Sequence, residues 1–273
     1  MSMGKFDGYL LLSDFDSTLA HTEVYEENGE RKARKAISRE NCEAIRYFQS
    51  EGGLFTLATG RQLAWVGDWK ESFVPNTYIS CLNGAHLCSP DGKEVVFSRP
   101  MDADFVDLAN RIRAACPDLE WVTFSYLGGT YRVLRGEPIT AALFEGRPIY
   151  KMVFYAHRAQ SDEYAARVAE LVGERYLSMR SWINGIEVQL RGTGKGDTVR
   201  RLKEILGARA RITVAVGDYE NDIDMVRAAD IGYAVANAVP QLRAVADRVT
   251  VADKESAIAA IIADLEVDAA RKV

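Results

Sequence analysis

Two aspartates separated by one residue, Asp14 and Asp16, follow the apolar run Tyr9–Ser13. Carboxylates at positions i and i+2 leave a strand together, so both can face one crevice if the chain turns there. One carboxylate can then attack phosphorus while the other donates a proton to the leaving oxygen. The attacking aspartate would carry the phosphoryl group as an acyl phosphate. Taken alone, the pair also fits a helix cap or a turn.

Two further segments offer groups that bind phosphate. Thr59 and Gly60 follow an apolar strand pattern, so the Thr59 hydroxyl and the next backbone amides can hold phosphate oxygens. Lys195 lies between Gly194 and Gly196 at the start of a helical pattern, where it can approach a phosphate as a point charge. An ordinary N-cap threonine and a solvent-exposed lysine are the alternatives for these segments when each is taken alone.

A fourth segment, residues 216–222, places Asp218 at a strand end and Asn221 and Asp222 on the opening turn of the next helix. Mg²⁺ requires oxygen ligands, few of them from protein. Asp14 and Asp218, with a nearby backbone carbonyl, meet that requirement. Acidic residues at a helix N-terminus are also favoured by the helix dipole, but this explains Asp218 poorly. The sequence therefore indicates Mg²⁺ as the cofactor.

The elements that would position these segments alternate between strands and helices. Short apolar runs predict strands buried on both faces, and amphipathic stretches predict helices between them. In chain order the predicted core elements are strand Tyr9–Ser13, helix Ser38–Glu51, strands Leu54–Ala58 and Thr77–Leu82, helix Lys195–Leu206, strand Arg211–Val216, helix Asn221–Ala229, strand Ile231–Val235 and a helix from near Asp253. This alternation predicts an α/β fold with a doubly wound, Rossmann-like parallel sheet. Three of the four segments lie where a predicted strand ends, which is where ligands bind in such sheets.

The middle of the chain has a different pattern. Its strands mix apolar with polar residues, as in an antiparallel sheet with one solvated face. The predicted strands are Lys93–Ser98, Glu120–Tyr126, Thr130–Arg135, Ile149–Ala156, Tyr176–Ser181 and Ile186–Arg191, with helices near Ala103–Ala115 and Ser161–Val172. We therefore predict an α+β domain, residues 86–191, inserted into a core domain of residues 1–85 and 192–273. Gly84 and the stretch 192–194 would be the hinges.

Composition excludes several classes of protein. Of the 273 residues, 48% are hydrophobic and 27% charged, as in an ordinary globular protein. The net charge of −5 and the lack of a long basic run argue against a nucleic-acid partner. The four cysteines form no CxxC pair, so we expect reduced thiols. With no signal peptide or membrane span evident, we expect a cytoplasmic protein without a membrane partner.

Together the four segments resemble the four motifs of the haloacid dehalogenase superfamily. The matching stretches are DFDSTL at 14–19, ATGR at 58–61, GKG at 194–196 and GDYEND at 217–222. The long insertion between the second and third motifs resembles the type IIB cap of the Cof-like sugar phosphatases, and CLNGA at 81–85 fits that subfamily. The resemblance covers nearly the whole chain. One departure is Ser17, which stands where these enzymes usually have glycine.

The resemblance implies a Mg²⁺-dependent phosphatase that hydrolyses small phosphorylated metabolites, sugar phosphates foremost, through an aspartyl phosphate. Asp14 would be the nucleophile and a Mg²⁺ ligand. Asp16 would act as general acid and then as general base, with its backbone carbonyl on the metal. The remaining implied roles are phosphate binding for Thr59, Gly60, Lys195 and Asn221, metal binding for Asp218, orientation of groups around the metal for Asp222, and tentative substrate contacts for Arg61, Asn83, Arg180 and Asn184.

Two other functions stay open from the sequence. A sugar phosphomutase would use the same nucleophile, but it needs a second cluster of phosphate-binding arginines in the cap. Candidates for that cluster are Arg111, Arg113, Arg132, Arg135 and Arg180. A non-catalytic, receiver-like module would use the carboxylates only to bind Mg²⁺ or accept a regulatory phosphate. Neither the oligomeric state nor the individual ester has a signal in the sequence.

Overall fold

The computed structural model describes residues 4–66 and 73–271. Its strands are β1 (Tyr9–Ser13), β2 (His21–Glu27), β3 (Glu30–Ala36), β4 (Leu54–Leu57), β5 (Ile79–Cys81), β6 (His86–Cys88), β7 (Val95–Ser98), β8 (Trp121–Tyr126), β9 (Gly129–Leu134), β10 (Lys151–Tyr155), β11 (Tyr176–Trp182), β12 (Gly185–Leu190), β13 (Ile212–Gly217), β14 (Ile231–Ala234) and β15 (Arg248–Val249). Its helices are α1 (Arg39–Ser50), α2 (Phe105–Ala115), α3 (Ser161–Val172), α4 (Lys195–Leu206), α5 (Ile223–Ala228), α6 (Pro240–Arg243) and α7 (Ala257–Ala270). None of the helices in this described part of the chain is long and apolar enough to cross a membrane.

A five-stranded parallel sheet forms the centre of the core domain, in the order β15-β14-β13-β1-β4. Successive side chains of β1 enter two different apolar cores. Leu11 packs with residues of α1 and α7, whereas Leu10 and Leu12 pack with α4 and α5. Burial of each leucine contributes about 1.5–3 kcal/mol. Because both faces of the sheet are covered, the predicted doubly wound α/β fold is confirmed.

Helix α1 shows how the local sequence sets the boundaries of these elements. The Ser38 hydroxyl caps it by accepting the backbone N–H of Asn41 at 3.2 Å. The helix ends before Gly52, which has a φ of +90° that glycine adopts at little cost. Ile45 and Phe48 form its buried face against the sheet. This capped and amphipathic helix lies where the sequence predicts it.

The antiparallel sheet of the insertion has the order β11-β12-β10-β8-β9. Helices α2 and α3 cover one of its faces, where Phe124 and Phe154 lie in a third apolar core with Leu108 and Val168. The other face points toward the carboxyl ends of the parallel strands and closes a cavity there. This α+β unit is the predicted cap, although the boundaries at residues 86 and 191 stay a prediction.

A small sheet, β5-β6-β7, lies between these two units and corrects two expectations. The predicted third core strand is short, and it touches the parallel sheet through one bridge between Ala58 and Ser80. Strand β7, expected among the strands of the inserted sheet, pairs with β6 and is not part of the cap sheet. The cause is a tight reversal after β5, where Leu82, Asn83 and Gly84 all have positive φ. That reversal folds the chain back before it can enter the cap.

The hairpin of β2 and β3 is absent from the sequence-based prediction. Most of its residues are exposed, and its strands are rich in charge rather than in alternating apolar residues. The available signal was Asn28-Gly29, because both residues adopt positive φ at the turn, of 55° and 78°. The hairpin reaches the cavity, because its last strand carries Lys35 there.

Candidate active site

Asp14 and Asp218 meet at the carboxyl edge of the parallel sheet. Each follows its strand directly, and the strands β1 and β13 are hydrogen-bonded neighbours. The backbone N–H of Asp14 continues the ladder by donating to the Val216 carbonyl at 3.0 Å. Thr59 follows the next strand, β4, on the other side of β1. The predicted convergence of these strand ends is therefore observed.

Lys195 is the first residue of α4 and is fully buried. Its ammonium donates to Oδ1 of Asp14 and to Oδ1 of Asp222, both at 2.6 Å. Burial opposes the charged form, but the two carboxylates outweigh it and hold the pKa of Lys195 above its usual range. Gly196 permits this approach, since a Cβ there would lie 2.6 Å from the backbone oxygen of Asp224. The lysine thus joins the first, third and fourth motifs.

An acidic cluster of Asp14, Asp218 and Asp222 surrounds this lysine. One carboxylate oxygen from each residue lies within 4.8 Å of the others. Burial, with repulsion from neighbouring carboxylates, raises the pKa of Asp14 to about 7 and that of Asp218 to about 8. Three carboxylates lie around the single ammonium group of Lys195, and all of the potential metal ligands in the cluster are oxygen atoms. Such a set fits a hard divalent cation, because the cation would relieve the repulsion.

The sequence predicts that Asp222 orients groups around the metal, and the structure shows further contacts of its side chain. Its Oδ2 accepts the backbone N–H groups of Asp218 at 3.1 Å and Tyr219 at 3.3 Å. Its other oxygen holds Lys195. A fully buried Asp222 therefore fixes the loop after β13 and the position of the lysine at once. The carboxylate of Asp222 also belongs to the group of side chains that could bind a metal ion. The resemblance described above implies the backbone carbonyl of Asp16 as a ligand and does not include Asp222.

The side chain of Asp16 is not among these clustered carboxylates. Arg61 clamps it with two hydrogen bonds, of 2.6 Å from Nε and 2.7 Å from Nη2, and Lys35 lies 3.3 Å away. Burial would raise the pKa of the Asp16 carboxyl, but the bonds from Arg61 and the charge of Lys35 hold it below its usual value. Arg61, proposed from the sequence as a substrate contact, is thus bound to Asp16 and lines the cavity beside it.

The predicted phosphate-binding residues lie around the same edge. The Thr59 hydroxyl accepts the backbone N–H of Arg61 at 3.1 Å, and Gly60 lines the cavity. Asn221 also lines the cavity, and its amide contacts Oδ1 of Asn83 at 3.4 Å. Asn83 itself is fully buried and donates to the Glu187 carboxylate of the cap. Asn83 therefore helps to hold the side chain of Asn221 in position.

Lys151 and Glu187 form a buried pair that sequence reasoning missed. The Lys151 ammonium donates to the Gly60 carbonyl at 2.9 Å and to Glu187 Oε1 at 3.1 Å. The side chains are only 6% and 3% exposed. The signal was a single charged residue in each of two largely apolar strands, β10 and β12. Gly60 and Asn83, which contact these two side chains, belong to the core domain. The pair could therefore be identified only once the cap was docked onto the core.

Two tentative substrate contacts in the cap lie elsewhere. The Nε of Arg180 donates to both carboxylate oxygens of Glu220 at 3.0 Å, so this arginine ties the cap to the core. The amide of Asn184 donates to the Ala156 carbonyl at 2.7 Å and closes a turn within the cap. Neither is among the described residues that line the cavity. Both side chains donate hydrogen bonds to protein groups.

The cavity between cap and core has a volume of about 620 Å³, within the range of small-molecule sites. The core contributes Asp14, Asp16, Ser17, Lys35, Gly60, Arg61, Gln62, Trp65, Leu82, Asp218 and Asn221. The cap contributes Trp121, Thr123, Ser125, Thr130, Arg132, Lys151, Val153, Tyr155, Ser181, Trp182 and Glu187. The core side carries most of the charged groups of the cavity, and the cap side carries most of its aromatic and hydroxyl groups.

The fold and site define a class of hydrolase. The chain belongs to the family of haloacid dehalogenase-like hydrolases, whose sequence model matches residues 11–125 and 134–262. A solved HAD subclass IIB sugar phosphatase has the same fold, with a TM-score of 0.75 at 19% identity, over 95% of this chain and 99% of that one. The predicted family and fold class are therefore confirmed.

Two of the relatives that match the chain are named as phosphatases. Over 255 residues the chain is 25% identical to a 5-amino-6-(5-phospho-D-ribitylamino)uracil phosphatase of Bacillus subtilis, covering 93% of this chain and 94% of that protein. A local match of 42% identity to phosphoglycolate phosphatase 2 of Saccharolobus solfataricus spans 77 residues, or 28% of this chain and 33% of that protein. The predicted enzyme class, a phosphoric monoester hydrolase, is confirmed by the family and these relatives.

Proposed function

We propose that the protein is a Mg²⁺-dependent phosphatase of small phosphorylated metabolites that forms an aspartyl phosphate at Asp14. The observation that carries this proposal is the position of the Asp14 carboxylate. It is buried at a strand end, held by Lys195 at 2.6 Å, and opens into a cavity of about 620 Å³. The relatives named after phosphoglycolate, a ribityl phosphate and sugar phosphates support small metabolites as substrates.

The carboxylates of Asp14 and Asp218 and the backbone carbonyl of Asp16 would hold Mg²⁺. The all-oxygen donor set and the raised pKa values of Asp14 and Asp218 support a cation at this place. When bound, Mg²⁺ supplies charge stabilisation for the phosphoryl oxygens. Asp222 would orient the surroundings through its bonds to Lys195 and the loop amides.

The side chains then divide the reaction between them. Asp14 attacks phosphorus as the ester oxygen leaves, while Lys195, Thr59 and the amide of Gly60 hold the phosphoryl oxygens. Asp16 donates a proton to the leaving oxygen and later takes one from the water that hydrolyses the acyl phosphate. The clamp from Arg61 stabilises the carboxylate form of Asp16. An incoming phosphate attracts the same guanidinium, so substrate binding would weaken the clamp and favour protonation of Asp16.

The arginines of the cap argue against a mutase. Among the five candidates for a second phosphate site, Arg132 lines the cavity. Arg113 donates to the Glu137 carbonyl, and Arg135 pairs with Asp118. Arg113, Arg135 and Arg180, three of the five candidates, are thus committed to other protein groups. The large cavity and the family membership likewise argue against a receiver-like binding module.

Release of inorganic phosphate from a panel of phosphorylated metabolites tests the proposal. The wild type should release phosphate in Mg²⁺ and lose this activity in a chelator, and Asp14→Asn should be inactive in both. Asp91→Asn, which changes an exposed loop aspartate, is the matched control. Turnover retained by Asp14→Asn would overturn the assignment of the nucleophile. Isomerised sugar phosphate without phosphate release would replace the phosphatase with a mutase.

A further inference from the structure

Two aromatic side chains stack on the cavity face of the cap sheet. Trp121 of β8 and Tyr155 of β10 are direct cross-strand partners. Their ring centroids are 3.9 Å apart and the planes lie 12° from parallel. Both residues line the cavity that contains Asp14. This pair therefore presents ring surface to whatever occupies the cavity.

Trp182 extends the pair across the sheet. Gly185 of β12 is the partner of Tyr155 on its other side. A Cβ at Gly185 would lie 2.4 Å from the Trp182 ring, so the absence of a side chain lets this indole cover the strand. Trp182 remains 41% exposed and also lines the cavity. We refer to Trp121, Tyr155 and Trp182 as the aromatic wall.

The apolar core of the cap does not account for this wall. That core lies on the opposite face of the sheet, where Val122, Phe124 and Phe154 are buried under α2 and α3. Trp121 and Tyr155 stay partly exposed on the cavity side. Cross-strand aromatic pairs do stabilise sheets, and that role needs no ligand. A role of the aromatic wall in ligand binding therefore has to be tested by measuring which ligands the cavity binds.

A cation accompanies the wall. The guanidinium carbon of Arg132 lies 5.2 Å from the Trp121 ring centroid, within the range of a cation–π contact. Within the described residues, no carboxylate lies at ion-pair distance from Arg132. Its N–H groups are thus positioned to donate to acceptors on a ligand that rests against the wall.

The wall lies at a defined distance from the reaction site. Lys151, Val153 and Tyr155 occupy alternate positions of β10 and all line the cavity. Lys151 contacts Gly60 beside the phosphate-binding loop, and four residues of antiparallel strand span about 14 Å. Hydroxyl side chains line the space between the two ends. They are Thr123, Ser125, Thr130 and Ser181.

We propose that the physiological substrate is a phosphate ester whose leaving group carries a planar heteroaromatic ring. A hydroxylated chain or a sugar joins this ring to the phosphate. The phosphate binds at Asp14 and the spacer lies along the hydroxyl side chains. The ring packs against the aromatic wall, with its polar atoms accepting from Arg132. This inference rests on the proposed function, because that function places the phosphate at Asp14.

Matched pairs of esters, with and without the ring, provide the test. Flavin mononucleotide is compared with ribitol 5-phosphate, and adenosine 5′-monophosphate with ribose 5-phosphate, by kcat/KM in Mg²⁺. Stacking of a planar base on aromatic side chains predicts that the ring-bearing member is preferred by about tenfold or more in at least one pair. Equal kcat/KM within both pairs, or preference for the ring-free members, would overturn the inference.

Substitutions in the aromatic wall test whether it causes the preference for ring-bearing esters. Trp121→Leu and Tyr155→Leu keep apolar volume but remove the planar face, so the ratio between ring-bearing and ring-free esters should fall toward one. Tyr25→Ala on the exposed β2–β3 hairpin is the matched control and should keep the wild-type ratio. A ratio that persists in both leucine variants would assign the preference to another part of the cavity. Circular dichroism verifies that each variant is folded.

A binding measurement separates this inference from the proposed function. Calorimetric titration of Asp14→Asn in Mg²⁺ compares affinity within the same pairs without turnover. Phosphate release without ring preference in rates or binding would leave the phosphatase intact and refute the aromatic leaving group. Ring-selective binding by a wild type that hydrolyses no ester would retain the wall as a ligand site and refute the phosphatase.

Discussion

The ammonium nitrogen of Lys195 lies 2.6 Å from Oδ1 of Asp14, although 181 residues separate them along the chain. The contact exists because β1 lies in the centre of the parallel sheet and α4 packs against that strand. The same nitrogen also holds Asp222. One buried cation therefore compensates two buried carboxylates, and it links Asp14 to the loop after β13. Both the stability and the activity of the protein should depend on this arrangement.

Replacing Lys195 by glutamine should destabilise the protein strongly. The substitution leaves Asp14 and Asp222 buried without their cation, and breaking such a buried pair costs about 3–5 kcal/mol. The control is Lys203→Gln on the same helix, where the exposed pair with Asp230 is worth about 1 kcal/mol or less. Unfolding by urea at pH 7 gives both values. Similar losses in the two variants would contradict the structural importance of Lys195.

Mg²⁺ should raise the thermal unfolding temperature of the wild type. A ligand that binds only the folded state at a hundredfold excess over its Kd adds about 2.7 kcal/mol of stability. Asp218→Asn removes a proposed ligand from the cluster and should abolish most of this rise, whereas Asp230→Asn, outside the cluster, should retain it. Scanning calorimetry with and without Mg²⁺ measures the effect. An equal Mg²⁺ response in Asp218→Asn would place the metal elsewhere.

The sequence predicted the convergence of Asp14, Asp218 and Lys195 because these residues lie next to elements with strong local signals. Asp14 and Asp218 come directly after apolar strands, and Lys195 begins an amphipathic helix after a glycine. In a parallel sheet the carboxyl ends of neighbouring strands must lie side by side. Their convergence therefore requires only the correct assignment of the strands and helix.

Contacts between cap and core could not be predicted in this way. Lys151 and Glu187 look like ordinary polar positions of a half-solvated sheet until the cap is docked onto Gly60 and Asn83. The conformation of Arg180 depends on the same docking, because its partner Glu220 belongs to the core. Periodicity identifies which face of a strand is polar, but the partner of that face is set by tertiary packing.

Ser17→Gly should stabilise the protein slightly. Ser17 has a φ of +58°, a left-handed conformation that costs a residue with a Cβ about 1–2 kcal/mol. Glycine removes this strain but has greater freedom in the unfolded chain, so a net gain of about 0.5–1 kcal/mol is expected. Ser17→Ala, which retains the Cβ, is the control and should give no gain. Denaturant midpoints measure the difference, and a less stable glycine variant would refute this account.

Asp230 should contribute to stability at neutral pH and lose that contribution in acid. Burial would raise the pKa of its carboxyl, but bonds from Lys203 and from the amide and hydroxyl of Thr213 hold it below the usual value. A depressed pKa stabilises the fold above the ordinary aspartate pKa of about 3.9, and the effect disappears as pH falls through the lower native value.

The measurement for this residue is the difference in unfolding free energy between wild type and Asp230→Asn as a function of pH. Because the side chain is 42% exposed, solvent screening limits the difference to about 1 kcal/mol. It should be constant from pH 8 to 5 and decline below about pH 4. A difference that changes mainly between pH 6 and 8 would point to another titrating group.

Lys151→Met should weaken both the fold and the docking of the cap. It removes the bond to the Gly60 carbonyl and leaves Glu187 buried without its cation, at a cost of about 3 kcal/mol or more. Adding Glu187→Gln neutralises that carboxylate while the amide oxygen still accepts from Asn83. The double variant should therefore lose less stability than Lys151→Met alone, with a coupling energy of about 0.5–3 kcal/mol. Purely additive losses in the denaturation curves would show that the two side chains do not interact as a pair.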